Sequence, residues 1–330
     1  MNKAAIEVVD VKRSFRSVKK EEGWRGTLKL LFNPEYITHD ALKGITFSIP
    51  QGEFTGLIGA NGAGKTTLLK ILSGLIPATS GSASVLGFNP FERSIEFRKK
   101  ISLVMGQKAQ LWWDLPAIEA FDLLRALYQI EPALYRKRLD ELTTLLDVTK
   151  LLNTQIRRLS LGERMKMEVI GAIIHLPQVI FLDEPTIGLD VLAAQKLREF
   201  LKNHNQREGA TIILTSHNMD DISELCKRII LIKEGSVLFD GDPNQLTNQD
   251  ECMMKVKLGS EPPLDELAGV LGIGAALVTK DAEDPTTYLL NVTRSRVAEH
   301  FQKLLSKYAV ADIGIQEPSL ERVIQRIYRQ

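Results

Sequence analysis

Eight consecutive residues, Gly59-Ala60-Asn61-Gly62-Ala63-Gly64-Lys65-Thr66, have the types and spacing to hold a phosphate. They read GxxxxGK[ST]. Glycines in such a run let successive backbone N–H groups turn inward onto phosphate oxygens with no Cβ in the way. Lys65 would reach the β- and γ-phosphates of a nucleotide, and the Thr66 hydroxyl would ligate magnesium. Thr67 opens a helix-like run whose positive end would face the same oxygens. With glycine near 7% of residues, the pattern arises by chance in about one chain in a hundred of this length. Alone it supports nucleotide binding without naming the work done.

A second group lies far along the chain. Val179-Ile180-Phe181-Leu182 is fully apolar and ends in Asp183-Glu184. A buried strand would deliver Asp183 to the edge of a sheet beside the phosphate loop, where it could hold magnesium, through water. Glu184, one residue on, is placed to orient and polarise an attacking water. An acidic pair after a strand is commonly only a turn. Paired with the loop at 59–66, the functional reading becomes the stronger one.

The elements that must position these groups alternate strand and helix. Ile6–Val11, Gly44–Ile49, Glu53–Ile58, Ser84–Leu86, Ile101–Met105, Val179–Leu182, Thr211–Thr215 and Ile229–Lys233 read as strands, Pro50-Gln51-Gly52 as a turn. Helical spacing follows the loop, runs through 116–152 with a break at Pro132, and recurs over Leu159–Ile174. The pattern predicts an α/β domain at 1–241 on a largely parallel sheet, with an inserted helical lobe at about 108–176. Residues 17–40 interrupt it. Trp24, Leu28, Leu31 and Phe32 recur there at helical spacing up to Pro34, either packed on their own domain or facing a partner. Polar residues 242–255 read as a linker. Beyond it, 256–330 shows a β-α-β-β-α-β order, a small ferredoxin-like domain. Its strands fall near 253–258, 275–279, 287–293 and 309–316.

Composition narrows the class. Lys+Arg 42 against Asp+Glu 41 leaves almost no net charge, which argues against a protein built to coat nucleic acid. Only Cys226 and Cys252 occur, so a disulfide framework or thiolate zinc site is not expected and a reducing cytosol fits. The start shows no signal-peptide h-region. No apolar run approaches the roughly 18 residues that a spanning helix needs, so the chain is expected to be soluble by itself.

With these residues in place, the chain resembles an ATP-binding cassette (ABC) ATPase over residues 6–241. That family carries the signature LSGGQ, which Leu159, Ser160 and Gly162 of Leu159-Ser160-Leu161-Gly162-Glu163 match and from which Leu161 and Glu163 depart. Gln107 matches its Q-loop glutamine, Gly188-Leu189-Asp190 resembles its D-loop, and His217 after Thr215-Ser216 matches its switch histidine. Phe15 fits the aromatic that stacks on adenine, with Tyr36 as a rival.

The resemblance implies ATP and Mg2+ as cofactors, with Thr66, Asp183 and Gln107 about the metal and Glu184, His217 and Gln107 in catalysis. Ser160 and Gly162 would serve the ATP of a second cassette, identical or not, so that two nucleotides are sandwiched between two chains. The segment Gly106–Pro116, the stretch at 20–36 and Glu317–Val323 are similar to a branch of drug and viologen exporters. That implies a separate transmembrane permease, a place on the cytoplasmic face of a bacterial inner membrane, and efflux of a solute. Trp112 and Trp113, five and six residues after Gln107, should not both be buried on an extended stretch, because successive side chains point to opposite sides. The alternative is a soluble ABC ATPase acting on ribosomes or nucleic acid. Such proteins usually carry tandem cassettes or a long coiled coil, and this chain shows neither.

Overall fold

The computed structural model describes residues 3–18, 36–106, 110–246, 251–281, 284–316, 320 and 323–324. The chain divides into two compact units, Met1–Gly241 and Asp242–Gln330.

The first unit opens with two long strands, β1 (Ala4–Val18) and β2 (Tyr36–Pro50), paired antiparallel. β3 is Phe54–Gly59, and β4 (Ser80–Val85) joins the other edge of β1 in a three-stranded sheet. β5 (Ile101–Met105), β6 (Val179–Asp183), β7 (Thr211–Thr215), β8 (Arg228–Lys233) and β9 (Ser236–Gly241) complete a six-stranded sheet with β3. Its order is β5-β6-β7-β3-β8-β9, parallel except for β9. The inner strands are runs of Ile, Val, Leu and Phe because helices cover both faces of a parallel sheet, which leaves no polar side. Val179–Leu182 and all of β7 are accordingly buried.

Among the described residues, the α-helices of this unit are α1 (Lys65–Leu72), α2 (Ile95–Lys100), α3 (Ala117–Tyr128), α4 (Pro132–Leu145), α5 (Leu161–Ile173), α6 (Val191–Glu208) and α7 (Met219–Leu225). α3, α4 and α5 make the helical lobe, and α5 also packs on β5, which ties the lobe to the sheet. The helical run breaks just before Pro132, as expected, and Pro132 begins α4. Its missing N–H falls at the first turn, where no intrahelical partner exists anyway.

The second unit runs β10 (Glu251–Leu258), α8 (Leu264–Leu271), β11 (Val278–Lys280), β12 (Thr287–Thr293), α9 (Val297–Lys307) and β13 (Val310–Gln316). The sheet order β11-β12-β10-β13 is antiparallel throughout, the ferredoxin-like arrangement. Met254, Val256, Tyr288 and Leu290 pack there with Leu267, Leu271 and Leu304.

Several boundaries differ from expectation. The hairpin of β1 and β2 runs out to Val18 and Tyr36, so only 19–35 remain between the strands, and that segment lies outside the described residues. The linker expected at 242–255 is shorter, since a helical turn occupies Pro243–Gln245 and β10 already starts at Glu251. Cys252, Met254, Val256 and Leu258 alternate inward there, an alternation that the polar residues just before it disguised. The 275–279 strand is a helical turn followed by β11, and the signature helix begins at Leu161, with Ser160 as its cap. Among the described residues, no helix is long and apolar enough to cross a membrane.

Candidate active site

β3 leads straight into the phosphate loop, and α1 leaves it. Gly64 sits at φ 110°, and a Cβ there would stand 2.6 Å from the Ala41 carbonyl oxygen and from Leu42 Cδ2. Only glycine lets β2 pass this close in that conformation. Ala60, Asn61 and Gly62 are exposed, Ala63 is buried, and Thr66 and Thr67 are half-buried. The Lys65 ammonium donates to the Gly59 carbonyl at 2.6 Å and the Ala60 carbonyl at 3.1 Å. Burial pulls it below the ordinary lysine value, against the opposing charges of Glu184 and Asp183. A buried cation so placed favours an incoming phosphate.

Asp183 arrives on β6, two strands away from β3, and β7 bridges the gap. Thr66 Oγ1 donates to Asp183 Oδ2 at 2.9 Å, and Thr215 Oγ1 to Asp183 Oδ1 at 2.7 Å. Two of the three residues expected about magnesium, Thr66 and Asp183, are therefore adjacent. Among the described residues no three His, Cys, Asp or Glu side chains gather as a metal cage. A magnesium ion at Thr66 and Asp183 would need nucleotide oxygens and water to complete its octahedron, its usual habit in phosphate sites.

Glu184 follows at φ 56°. Its backbone N–H donates to Thr215 O at 3.0 Å and Oγ1 at 3.1 Å, and its Oε1 lies 3.0 Å from His217 Nε2. His217 is exposed while the Glu184 carboxylate is mostly covered, so the pair lies at the rim of the site. Gly106 caps this corner. Its N–H donates to Asp183 O at 2.8 Å, and a Cβ on it would stand 2.2 Å from the Glu184 carbonyl oxygen. Gln107, next along, lies outside the described residues.

Phe15 stands across from His39 with the Arg13 guanidinium 4.6 Å over its ring. His39 is two residues, about 7 Å, from Ala41 at the phosphate loop, whereas Tyr36 is five residues, about 17 Å, away along the same strand. Phe15 is the nearer aromatic. Ser160 and Gly162 lie at the start of α5, with Ser160 exposed. Leu161 is exposed and lies over Gly188 of the D-loop turn.

Three groups that sequence reasoning passed over hold this machinery. Thr215 joins Asp183 to Glu184. Asp221, fully buried, accepts from Ser216 Oγ at 2.6 Å and from Thr186 Oγ1, and pairs with Arg198 at 3.0 Å. It thereby fixes the turns before His217 and after Glu184 together. Glu168 on α5, buried, accepts from the N–H groups of Gln110 and Leu111 at 2.9 and 3.2 Å. Burial pushes its carboxyl above the usual range. Thr215 could have been found from its place two residues before His217. Nothing in the sequence marks Glu168.

Trp112 and Trp113 are not both buried, as expected, but the backbone that exposes them is not extended. Leu115 N–H donates to Trp112 O at 3.2 Å, a turn rather than an extended stretch, and both Trp112 (42%) and Trp113 (50%) are exposed. Arg164 of α5 lies 5.5 Å over the Trp113 ring. Trp112, Leu111, Met105, Ser102, Leu124 and Tyr128 line a groove of about 440 Å³ between sheet and lobe. Two other histidines pack on rings: His175 stacks on Tyr128 at 3.8 Å, and His204 on Phe200.

Comparison with known proteins now bears on this geometry. Residues 42–187 match the family model described as ABC transporter. The ABC transporter ATP-binding protein NatA of Bacillus subtilis is 31% identical over 201 residues, 61% of this chain and 81% of NatA. The chain belongs to the ABC transporter ATP-binding proteins. Two relatives match along more of this ABC chain. The linearmycin resistance ATP-binding protein LnrL of Bacillus subtilis is 29% identical over 86% of the chain and 91% of its own length. The doxorubicin resistance ATP-binding protein DrrA of Mycobacterium tuberculosis is 28% identical over 86% and 87%. A solved ATP-binding subunit of an ABC transporter superposes with a TM-score of 0.61 at 25% identity, covering 73% of this chain and 91% of that one. The chain is thus a nucleotide-binding ABC ATPase cassette with an added ferredoxin-like unit.

Proposed function

We propose that this cassette powers export of a solute through a separate transmembrane permease, acting as one of two ATPase chains at the cytoplasmic face of a bacterial inner membrane. One observation carries the export reading. LnrL and DrrA match 86% of the chain, which must run past Gly241 into the second unit, and both are named for drug resistance. The exposed Trp112 and Trp113, beside the groove between sheet and lobe, fit a surface that receives the permease.

ATP and Mg2+ are the cofactors that the side chains suit. Bound magnesium would neutralise phosphate charge, with Thr66, Asp183 and Gln107 about it. The backbone of Gly59–Gly64 and the Lys65 ammonium would bind the phosphates, with Lys65 leaving the Gly59 and Ala60 carbonyls to do so. The Phe15 ring, covered by Arg13 on one face, would offer the other to adenine. Glu184 would accept a hydrogen bond from the attacking water and orient it, while His217 holds the Glu184 carboxylate. Ser160 and Gly162 would close over the nucleotide of the opposite chain.

The test is transport by the intact assembly. Inside-out vesicles carrying the chain and its co-purified permease should take up lipophilic drugs from a panel in the presence of ATP, and Glu184→Gln should stop it. Uptake by right-side-out vesicles instead, or co-purification with ribosomes and no permease, would overturn the reading.

A further inference from the structure

The signature of this cassette departs from the family pattern at Glu163, and the structure shows what that residue does to Ser160. Glu163 Oε2 accepts the Ser160 backbone N–H at 2.9 Å and the Ser160 hydroxyl at 2.8 Å. Ser160 Oγ in turn accepts the Glu163 N–H at 3.3 Å. The pair forms a reciprocal cap on α5. A serine hydroxyl carries one proton, and here it points at a carboxylate. The Ser160 oxygen therefore turns only lone pairs outward, which repel a phosphate oxygen.

The charge acts in the same direction. The backbone N–H and the hydroxyl that Ser160 donates hold the Glu163 carboxyl below the usual range, so it is ionised at neutral pH. An anion in the first turn offsets the positive end of the helix, the end that would attract a second anion.

We infer that Glu163 is a positioning residue that holds Ser160 in a non-donating state, so that the signature engages nucleotide only after the Ser160 hydroxyl is released from Glu163. This rests on the reading of Ser160 as a γ-phosphate donor across a dimer. Release needs no movement of α5. A rotation about the Ser160 Cβ–Oγ bond turns the hydroxyl proton outward, while the Ser160 N–H and the Glu163 N–H keep the cap in place. The consequence is an ATPase whose composite site closes at higher ATP than the same fold with a neutral residue at 163.

Glu163→Gln tests this in the full chain. Glutamine keeps a carbonyl oxygen for the cap, holds the hydroxyl about half as strongly, and removes the charge. The half-saturating ATP concentration for hydrolysis should fall about five- to tenfold, with kcat within about twofold and the melting temperature nearly unchanged. Glu163→Ala, which also frees the hydroxyl, should lower the half-saturating ATP while melting earlier. In a Ser160→Ala background, Glu163→Gln should add nothing. A purely structural cap could not raise apparent affinity. An unchanged or higher half-saturating ATP in Glu163→Gln, beside a clear defect in Ser160→Ala, would overturn the inference alone. No defect in Ser160→Ala would overturn the reading beneath it.

Discussion

Glu184 occupies a left-handed backbone conformation that a residue with a Cβ adopts at a cost of about 1–2 kcal/mol. The two bonds from its N–H to Thr215 offset that strain and aim the carboxylate at His217. Strain held by neighbours is characteristic of positions where geometry serves chemistry. Glu184→Gln keeps size and backbone, so ATP binding should survive while turnover falls about 10²- to 10⁴-fold, the usual worth of a general base. Steady-state hydrolysis against equilibrium binding of labelled ATP measures both. A loss of only a few-fold would remove Glu184 from the water-positioning role.

At the scale of elements, α5 joins three parts of the site. Its N-terminus carries Ser160, its middle carries Glu168, and its apolar face packs on β5, α3 and α4. Glu168 holds Gln110 and Leu111 at one end of the segment that contains Gln107, and Gly106 is pinned against Glu184 at the other. Glu168→Met would keep the volume and strand the buried Leu111 N–H, at about 1–3 kcal/mol, and the part-buried Gln110 N–H at less. Denaturant unfolding should show a loss of roughly 2–4 kcal/mol. Glu168→Gln, which retains an acceptor, should lose no more than about 1 kcal/mol by the same reckoning. Equal losses in the two variants would mean that these bonds do not hold the segment.

For the whole molecule, near-neutral overall charge leaves pH sensitivity to buried groups. His175 and His204 are both pushed down to about 4 by burial, with Arg138 lowering each further. Above pH 6.5 they are neutral folded and unfolded. As pH falls from 6.5 towards 4, the unfolded chain takes up protons that the folded chain refuses, so stability is lost across that window. The effect between pH 7 and 5 is roughly 2 kcal/mol per histidine. His204→Leu should reduce the fall in stability between pH 7 and 5 by about that amount, read from urea midpoints at the two pH values. An unchanged pH dependence would show that His204 is not kept neutral by the fold.

Much of this protein is local in origin and was legible in the chain. Glycine spacing sets the phosphate loop, an apolar run ending in Asp183-Glu184 needs only strand geometry, and periods of 2 and 3.6 mark nearly every element, including the βαββαβ order of the second unit. What remained depended on neighbours distant in sequence. Thr66 and Asp183 are 117 residues apart and meet because the sheet sets only β7 between β6 and β3, whose end leads into the loop and α1. Gly106 is required because a carbonyl 78 positions further along passes 2.2 Å from where its Cβ would be. Glu168 looks like any helix glutamate until the fold buries it under two backbone N–H groups. Even Glu163, only three residues after Ser160, has a part that the motif does not spell out, because one of its carboxylate oxygens takes both the N–H and the O–H of Ser160. Local pattern follows from backbone geometry that every chain shares, whereas partners are chosen by packing, which no single stretch of sequence contains.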